Sequence, residues 1–276
     1  MSTPQVVIEP KKGWQVINFR ELKDYRDLFK LMILRDVTVL YKQTVLGFAW
    51  AILNPLITMV VFTVIFGKLV GVDTGGVPYP IFSFAALVPW TYFSQAVTGS
   101  TNSLISMSGI FTKVYFPRLI IPLTPIFAKL IDFAIAFGIL IIMMLFYHES
   151  VHLTWNILVL PFLLLIMVLT AAGVGMLLSA MAVQFRDIKF AVGFFIQILM
   201  YATPVVYSAS RIPEQYRILY GIFPMAGVIE GFRSALIGQS PMPWDLIITG
   251  TITAIIVFLC GALYFRRSER VFADVA

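Results

Sequence analysis

Gln43-Thr-Val-Leu-Gly-Phe-Ala-Trp-Ala-Ile-Leu-Asn-Pro-Leu-Ile-Thr-Met-Val-Val-Phe-Thr-Val-Ile-Phe-Gly67 carries no charged side chain between Lys42 and Lys68. About 20 apolar residues in a helix cross the ~30 Å hydrocarbon core of a bilayer, so this stretch predicts a transmembrane span. Pro55 lies inside it, which predicts a kink whose freed backbone groups are satisfied by neighbouring helices. The rest of the chain agrees. It has 276 residues, 59% of them apolar and 12% charged, with a mean hydropathy of +0.91. Soluble domains average about 25% charged residues. The fold expected is therefore all-α and polytopic, with room for roughly six helices.

Taken in order, residues 1–42 are polar and do not read as a signal peptide, because no small-residue cleavage site follows a short apolar core. Within them, 21–37 predicts an amphipathic interface helix: Leu22, Tyr25, Leu28, Phe29 and Met32 recur at three- and four-residue spacing. The transmembrane domain is expected over 43–265, followed by a tail, 266–276. Span 1 is 43–67, and span 2 lies within 80–105, its second half rich in Ser, Thr, Asn and Gln. Span 3 is 122–147, and span 4 is 155–183, with Gly173 and Gly175 near its end allowing close helix approach. Spans 5 and 6 are 190–208 and 245–265. Between those two, 209–243 holds an apolar core too short to cross a bilayer, which predicts an external re-entrant helix pair.

Charge sets the orientation. Six spans put both termini on one side, and that side collects sixteen of the 20 Lys and Arg; only Lys68, Arg211, Arg217 and Arg233 fall on the other. Positive loops stay in the cytoplasm. The net charge of +6 is thus a topology signal, and no nucleic-acid partner is expected. On the cytoplasmic side, the basic-aromatic stretch Phe111-Thr-Lys-Val-Tyr-Phe-Pro-Arg118 reads as a contact where a soluble partner pushes on a membrane pore.

Catalytic chemistry is sparse. His148-Glu149-Ser150-Val151-His152 matches H-E-x-x-H, which binds zinc when both His share a helix face. Here it falls in a short external turn with no clear third ligand, so no metal site is expected and a membrane-embedded hydrolase is the remote alternative. Lys129 and Asp132, three residues apart in span 3, read as a self-neutralising pair. In an ion-coupled transporter acting alone, a second alternative, they would be the site. G-x-x-x-x-G-K-[ST] is absent, so an ATP-driven process would place ATP and Mg on another subunit. The aromatic residues Trp50, Trp90, Tyr92, Phe93, Tyr201 and Tyr207 belong either to interfacial belts or to a conduit whose rings stack on sugars.

Several segments resemble one family. They are Tyr41-Lys-Gln-Thr-Val-Leu-Gly47 with Trp50 and Pro55, Leu87-Val-Pro-Trp90, Lys113-Val-Tyr-Phe-Pro-Arg118, Phe185-Arg-Asp-Ile188 and Thr203-Pro-Val-Val-Tyr207. In order and spacing they are similar to permease subunits of polysaccharide-exporting ABC transporters, which move O-antigen, teichoic acid and capsule chains. The resemblance implies a non-enzymatic, cofactor-free pore subunit in the cytoplasmic membrane. It pairs with a second copy of itself and with two copies of a soluble nucleotide-binding ATPase, and it moves a lipid-linked glycan. Coupling contacts would be Tyr25, Arg26 and Phe29 on the interface helix and Phe111, Lys113, Val114, Tyr115, Phe116, Pro117 and Arg118 within 108–118. One departure is Phe223, where the family pattern has Asn before Pro224; it bears on the local helix cap.

Overall fold

The computed structural model describes residues 19–41, 49–107, 116–152 and 154–269, and among these every regular element is helical. Two helices lead in, α1 (Phe19–Asp24) and α2 (Arg26–Tyr41), broken at Tyr25 where one continuous helix was expected. α2 packs on α5 (Ile120–Phe146): the Phe29 ring meets Phe127 edge-on at 5.4 Å, and Met32 is buried. The 3.6-residue period seen in the sequence thus marks the face that docks on the bundle.

α3 (Ala49–Phe62) contains Pro55 and runs on as a π-helix, Thr63–Leu69. α4 (Tyr79–Ser106) is the axis of the molecule and contacts α3, α5, α6 (Leu160–Gln184), α7 (Ile188–Ala202) and α9 (Pro224–Ile237). α8 (Glu214–Gly221) lies on α10 (Trp244–Ser268), which in turn packs along α6. That last contact depends on glycine. A Cβ on Gly173 would sit 2.6 Å from the Phe258 backbone, and one on Gly261 would collide with the Gly173 carbonyl. Small residues let membrane helices pack backbone to backbone. Gly175 does the same toward α4, where a Cβ would meet Ser100 Oγ at 2.5 Å.

Among the described residues, four helical stretches are long and apolar enough to cross a membrane: Ala49–Leu69, Ile120–Phe146, Trp155–Gln184 and Trp244–Ser268. Expected spans 2 and 5 are not among them, for different reasons. α4, at 28 residues, extends about 42 Å, but it is sheathed by other helices rather than lipid, so its Ser and Thr side chains need no apolar replacement. Ser100, Thr101 and Ser103 are buried, and Thr101 and Ser103 hydroxyls donate to backbone carbonyls of the preceding turn. α7, at 15 residues, reaches only about 22 Å. It stops at Ala202, six residues short of the expected end, because Thr203 precedes Pro204 and that position disfavours helix.

The bundle has two ends. One gathers the α3–α4 loop, the turn after α5, residues 203–213 and the C-terminal cap of α9. The other gathers Met107, Phe116–Leu119, Phe185–Asp187 and Glu269. At the first end, Gly238 takes the left-handed conformation (φ 75°) that closes α9. A Cβ there would strike the His152 carbonyl, while the His152 amide donates to Ile237 O at 2.8 Å. The loop after α5 is pinned to α9 in this way.

Candidate functional site

At the second end, Phe111, Lys113, Val114 and Tyr115 lie outside the described residues. Phe116 is buried in the core. That ring packs against the bundle. Pro117 and Arg118 are half-buried at the start of α5, and Arg118 Nη1 donates to the Glu269 carbonyl at 2.9 Å, joining α5 to the end of α10. Tyr25 and Phe29 pack partly against the core. Arg26 is exposed beside Asp27. Arg186, Asp187 and Lys189 form an exposed turn at the same end.

The six aromatic candidates separate. Trp90, Tyr92 and Phe93 are buried in the core, where the Tyr92 and Phe93 rings meet Phe133 and Phe223 edge-on, so within this chain they pack the bundle, and Tyr92 also borders the crevice between α3, α4 and α5. A twofold choice of belt or conduit had left out this third environment, the inside of a bundle whose axial helix is α4. Trp50 and Tyr201 are half exposed. Tyr207 is partly buried, its hydroxyl 3.1 Å from that of Tyr220. Trp50, Asn54, Gln95, Asp132 and Phe133 border a small crevice, about 30 Å³, between α3, α4 and α5. Lys129 Nζ and Asp132 Oδ2 are 2.8 Å apart and mostly shielded, as the spacing predicted.

The sequence reading of H-E-x-x-H as a turn also agrees with the geometry. α5 ends at Phe146, His148–Ser150 is a 3₁₀ turn and Val151 is extended. The two imidazoles therefore do not share a helix face. Among the described residues, no group of three His, Cys, Asp or Glu side chains is placed to hold a metal.

One densely bonded polar group is a residue that sequence reasoning counted only as a loop charge. Arg233 on α9 is buried, with its guanidinium 3.7 Å from the centroid of the Phe82 ring. Nε donates to the Phe82 carbonyl at 3.2 Å, and Nη2 to Val205 O at 2.6 Å. Nη1 donates to Tyr207 O at 2.9 Å and Glu230 Oε1 at 3.4 Å. Glu230 Oε1 also accepts from the Ala209 amide. Burial draws the guanidinium below its ordinary value, and the Glu230 carboxylate opposes that. Together the pair staples residues 205–209, which run into the 3₁₀ turn Ala209–Arg211, to α4 and α9. The available signal was Glu-x-x-Arg in an apolar run, the spacing already recognised in Lys129 and Asp132. At the start of α9, Phe223 gives no side-chain cap; its ring packs on Phe93 instead.

With this geometry in place, the relatives become informative. The family model described as "ABC-2 type transporter" matches residues 27–237, which reach from the first turn of α2 to the last residue of α9. The chain belongs to the ABC-2 type transporter family. The "O-antigen export system permease protein RfbA" of Klebsiella pneumoniae is 27% identical over 249 residues, covering 90% of this chain and 95% of that protein. Its namesake in Myxococcus xanthus is 24% identical, covering 91% and 96%. The "Polysialic acid transport protein KpsM" of Escherichia coli is 24% identical, covering 86% and 92%. The family match includes both the shielded Lys129–Asp132 pair and the Arg233 staple.

Proposed function

We propose that this ABC-2 family member is the membrane subunit of an ATP-driven exporter that moves a polysaccharide across the inner membrane. The observation that carries the proposal is near end-to-end similarity to three proteins whose names are those of O-antigen and polysialic acid transport. The absence of a P-loop from these 276 residues supports a division of labour in which a separate ATPase hydrolyses the nucleotide and its Mg²⁺ stays with it. In this reading α3 to α7 and α10 supply six crossings, with α8 and α9 entering from outside without crossing. The exposed Phe190, Phe194 and Phe195 on α7 face lipid or a second copy of the chain. The substrate is a lipid-linked glycan, and half-exposed Trp50 and Tyr201 border its path.

The ATPase docks at the end formed by Phe116–Leu119 and Phe185–Asp187, with α1 and α2 beside it. Arg118 supports this placement: its bond to the end of α10 gives a push on that end a route into two long helices. Affinity capture of the tagged permease from detergent-solubilised native membranes tests the whole reading. Stoichiometric recovery of a soluble P-loop ATPase, reduced when Arg186 and Lys189 are both changed to Glu, is the expected result. A chain that is captured alone and still transports in vesicles without ATP overturns it in favour of an ion-coupled carrier.

A further inference from the structure

A cavity of about 260 Å³ opens at the end of the bundle that holds the α3–α4 loop. Its walls come from four separate places: Asp73 and Thr74 in that loop, Ser208, Ser210 and Arg211 after α7, Glu230 and Arg233 on α9, and Gln239 and Ser240 past the α9 cap. Its floor is the buried Glu230–Arg233 pair, and its rim carries a second, exposed pair, Arg211 with Asp73 at 3.7 Å. Both described hydrogen bonds of the Glu230 side chain fall on Oε1. The side chain is 8% exposed, and the second oxygen, Oε2, is not used by the staple.

We propose that this cavity binds a single uncharged sugar ring. The inference rests on the exporter reading and deepens it by giving the glycan a last stop at the outer mouth. Charge and size select the ligand. The two arginines and two carboxylates cancel, and each cation already faces an anion, so an ionic ligand must break a pair, one of them buried, at a steep desolvation cost. A neutral polyol breaks nothing. Sugar hydroxyls both donate and accept: Ser208 Oγ, which accepts from the Ser210 amide and hydroxyl, keeps its proton to donate, while Thr74 and Ser210, whose protons go to Val77 O and Ser208 Oγ, can accept, as can Oε2 of Glu230. The volume lies below the ~300–1,000 Å³ of pockets that hold drug-sized ligands, which suits one ring rather than a threaded chain. The site also touches the stretch that Arg233 holds and the 3₁₀ turn that follows it, so an occupied cavity is read by the segment joining α7 to α8.

Saturation-transfer NMR on the full-length permease in nanodiscs of uncharged lipid tests the site, with glucose, galactose, N-acetylglucosamine and glucuronate as probes. Ring-proton signals above the empty-nanodisc blank are expected for at least one neutral sugar, with weaker signals for glucuronate. Ser210→Leu, which places an apolar side chain at the rim without touching the Glu230–Arg233 pair, returns the signal to the blank. Glu230→Gln, which keeps one acceptor oxygen for the Ala209 amide, reduces it. Silence from all three neutral sugars, equal signals in Ser210→Leu, or a preference for glucuronate overturns the proposal. Co-purification of an ATPase is scored separately on the same preparations. A permease that holds its ATPase but binds no sugar refutes the cavity and leaves the exporter reading standing; one that binds sugar without an ATPase does the reverse.

Discussion

Arg233 holds three backbone carbonyls and one carboxylate that are little exposed to solvent. Removing one member of a buried ion pair strands the other and costs about 3–5 kcal/mol, whereas replacing both with groups of similar shape is often near neutral. Arg233→Met is therefore expected to destabilise the protein by roughly that amount, and Arg233→Met with Glu230→Gln by less. Thermal unfolding of the purified variants in the same detergent measures both. A double variant no more stable than the single one shows that the carbonyl bonds, not the charge pair, dominate. The same logic at Lys129 and Asp132, 2.8 Å apart and about one-fifth exposed or less, predicts that Asp132→Leu alone lowers the yield of folded protein more than Lys129→Met with Asp132→Leu. Size-exclusion profiles of the three proteins decide it, and equal recovery of both variants removes the pair from the stability argument.

Between elements, the critical contact is α6 on α10, where the Gly173 Cα approaches the Phe258 backbone so closely that a methyl group has no space. Overpacking a close contact costs about 1–3 kcal/mol for small additions. Gly173→Leu is expected to exceed that range, because the obstacle is backbone that cannot rotate away. Gly138→Leu, on α5 with nothing within 4 Å of its Cβ position, serves as the control and is expected to be tolerated. Loss of folded protein for both variants argues against a specific α6–α10 contact. The glycines of span 4 were legible in the sequence because a helix without side chains at one position has an evident use. The apolar runs were legible for the same reason, since lipid imposes a length and a composition. What escaped was everything set by neighbours within the protein. Trp90, Tyr92 and Phe93 look like surface aromatics until α4 is found at the centre of the bundle. The end of α7 at Ala202 follows from Pro204, yet the stretch after it looks like more span because Val205 and Val206 are apolar; they are buried by protein, under the Arg233 staple. Glu230 and Arg233 looked like ordinary charges of an external segment because their burial comes from α4 and the 205–209 stretch, distant in sequence.

For the molecule as a whole, orientation follows from how cations are distributed between its two ends. Three of the four Lys and Arg assigned outside each face a carboxylate: Arg211 with Asp73, Arg217 with Asp245 and Arg233 with Glu230. That end presents little net positive charge. The opposite end presents Arg186 and Lys189 on an exposed turn and the basic last turn of α10, Arg266 and Arg267. Lys and Arg near span ends resist translocation, so the second end, to which most of them are assigned, is expected in the cytoplasm. Cys260 is the chain's one cysteine and is exposed, so Cys260→Ser clears the background for single reporters. Glu149→Cys, in the exposed turn after α5, is expected to react with a membrane-impermeant maleimide in intact spheroplasts. Arg186→Cys is expected to react only after permeabilisation. Labelling of Arg186→Cys in intact cells reverses the orientation, moving the sugar cavity to the cytoplasmic side and the ATPase to the opposite end. That one result fixes the sidedness of both sites, because they occupy opposite ends of the same four long apolar helices.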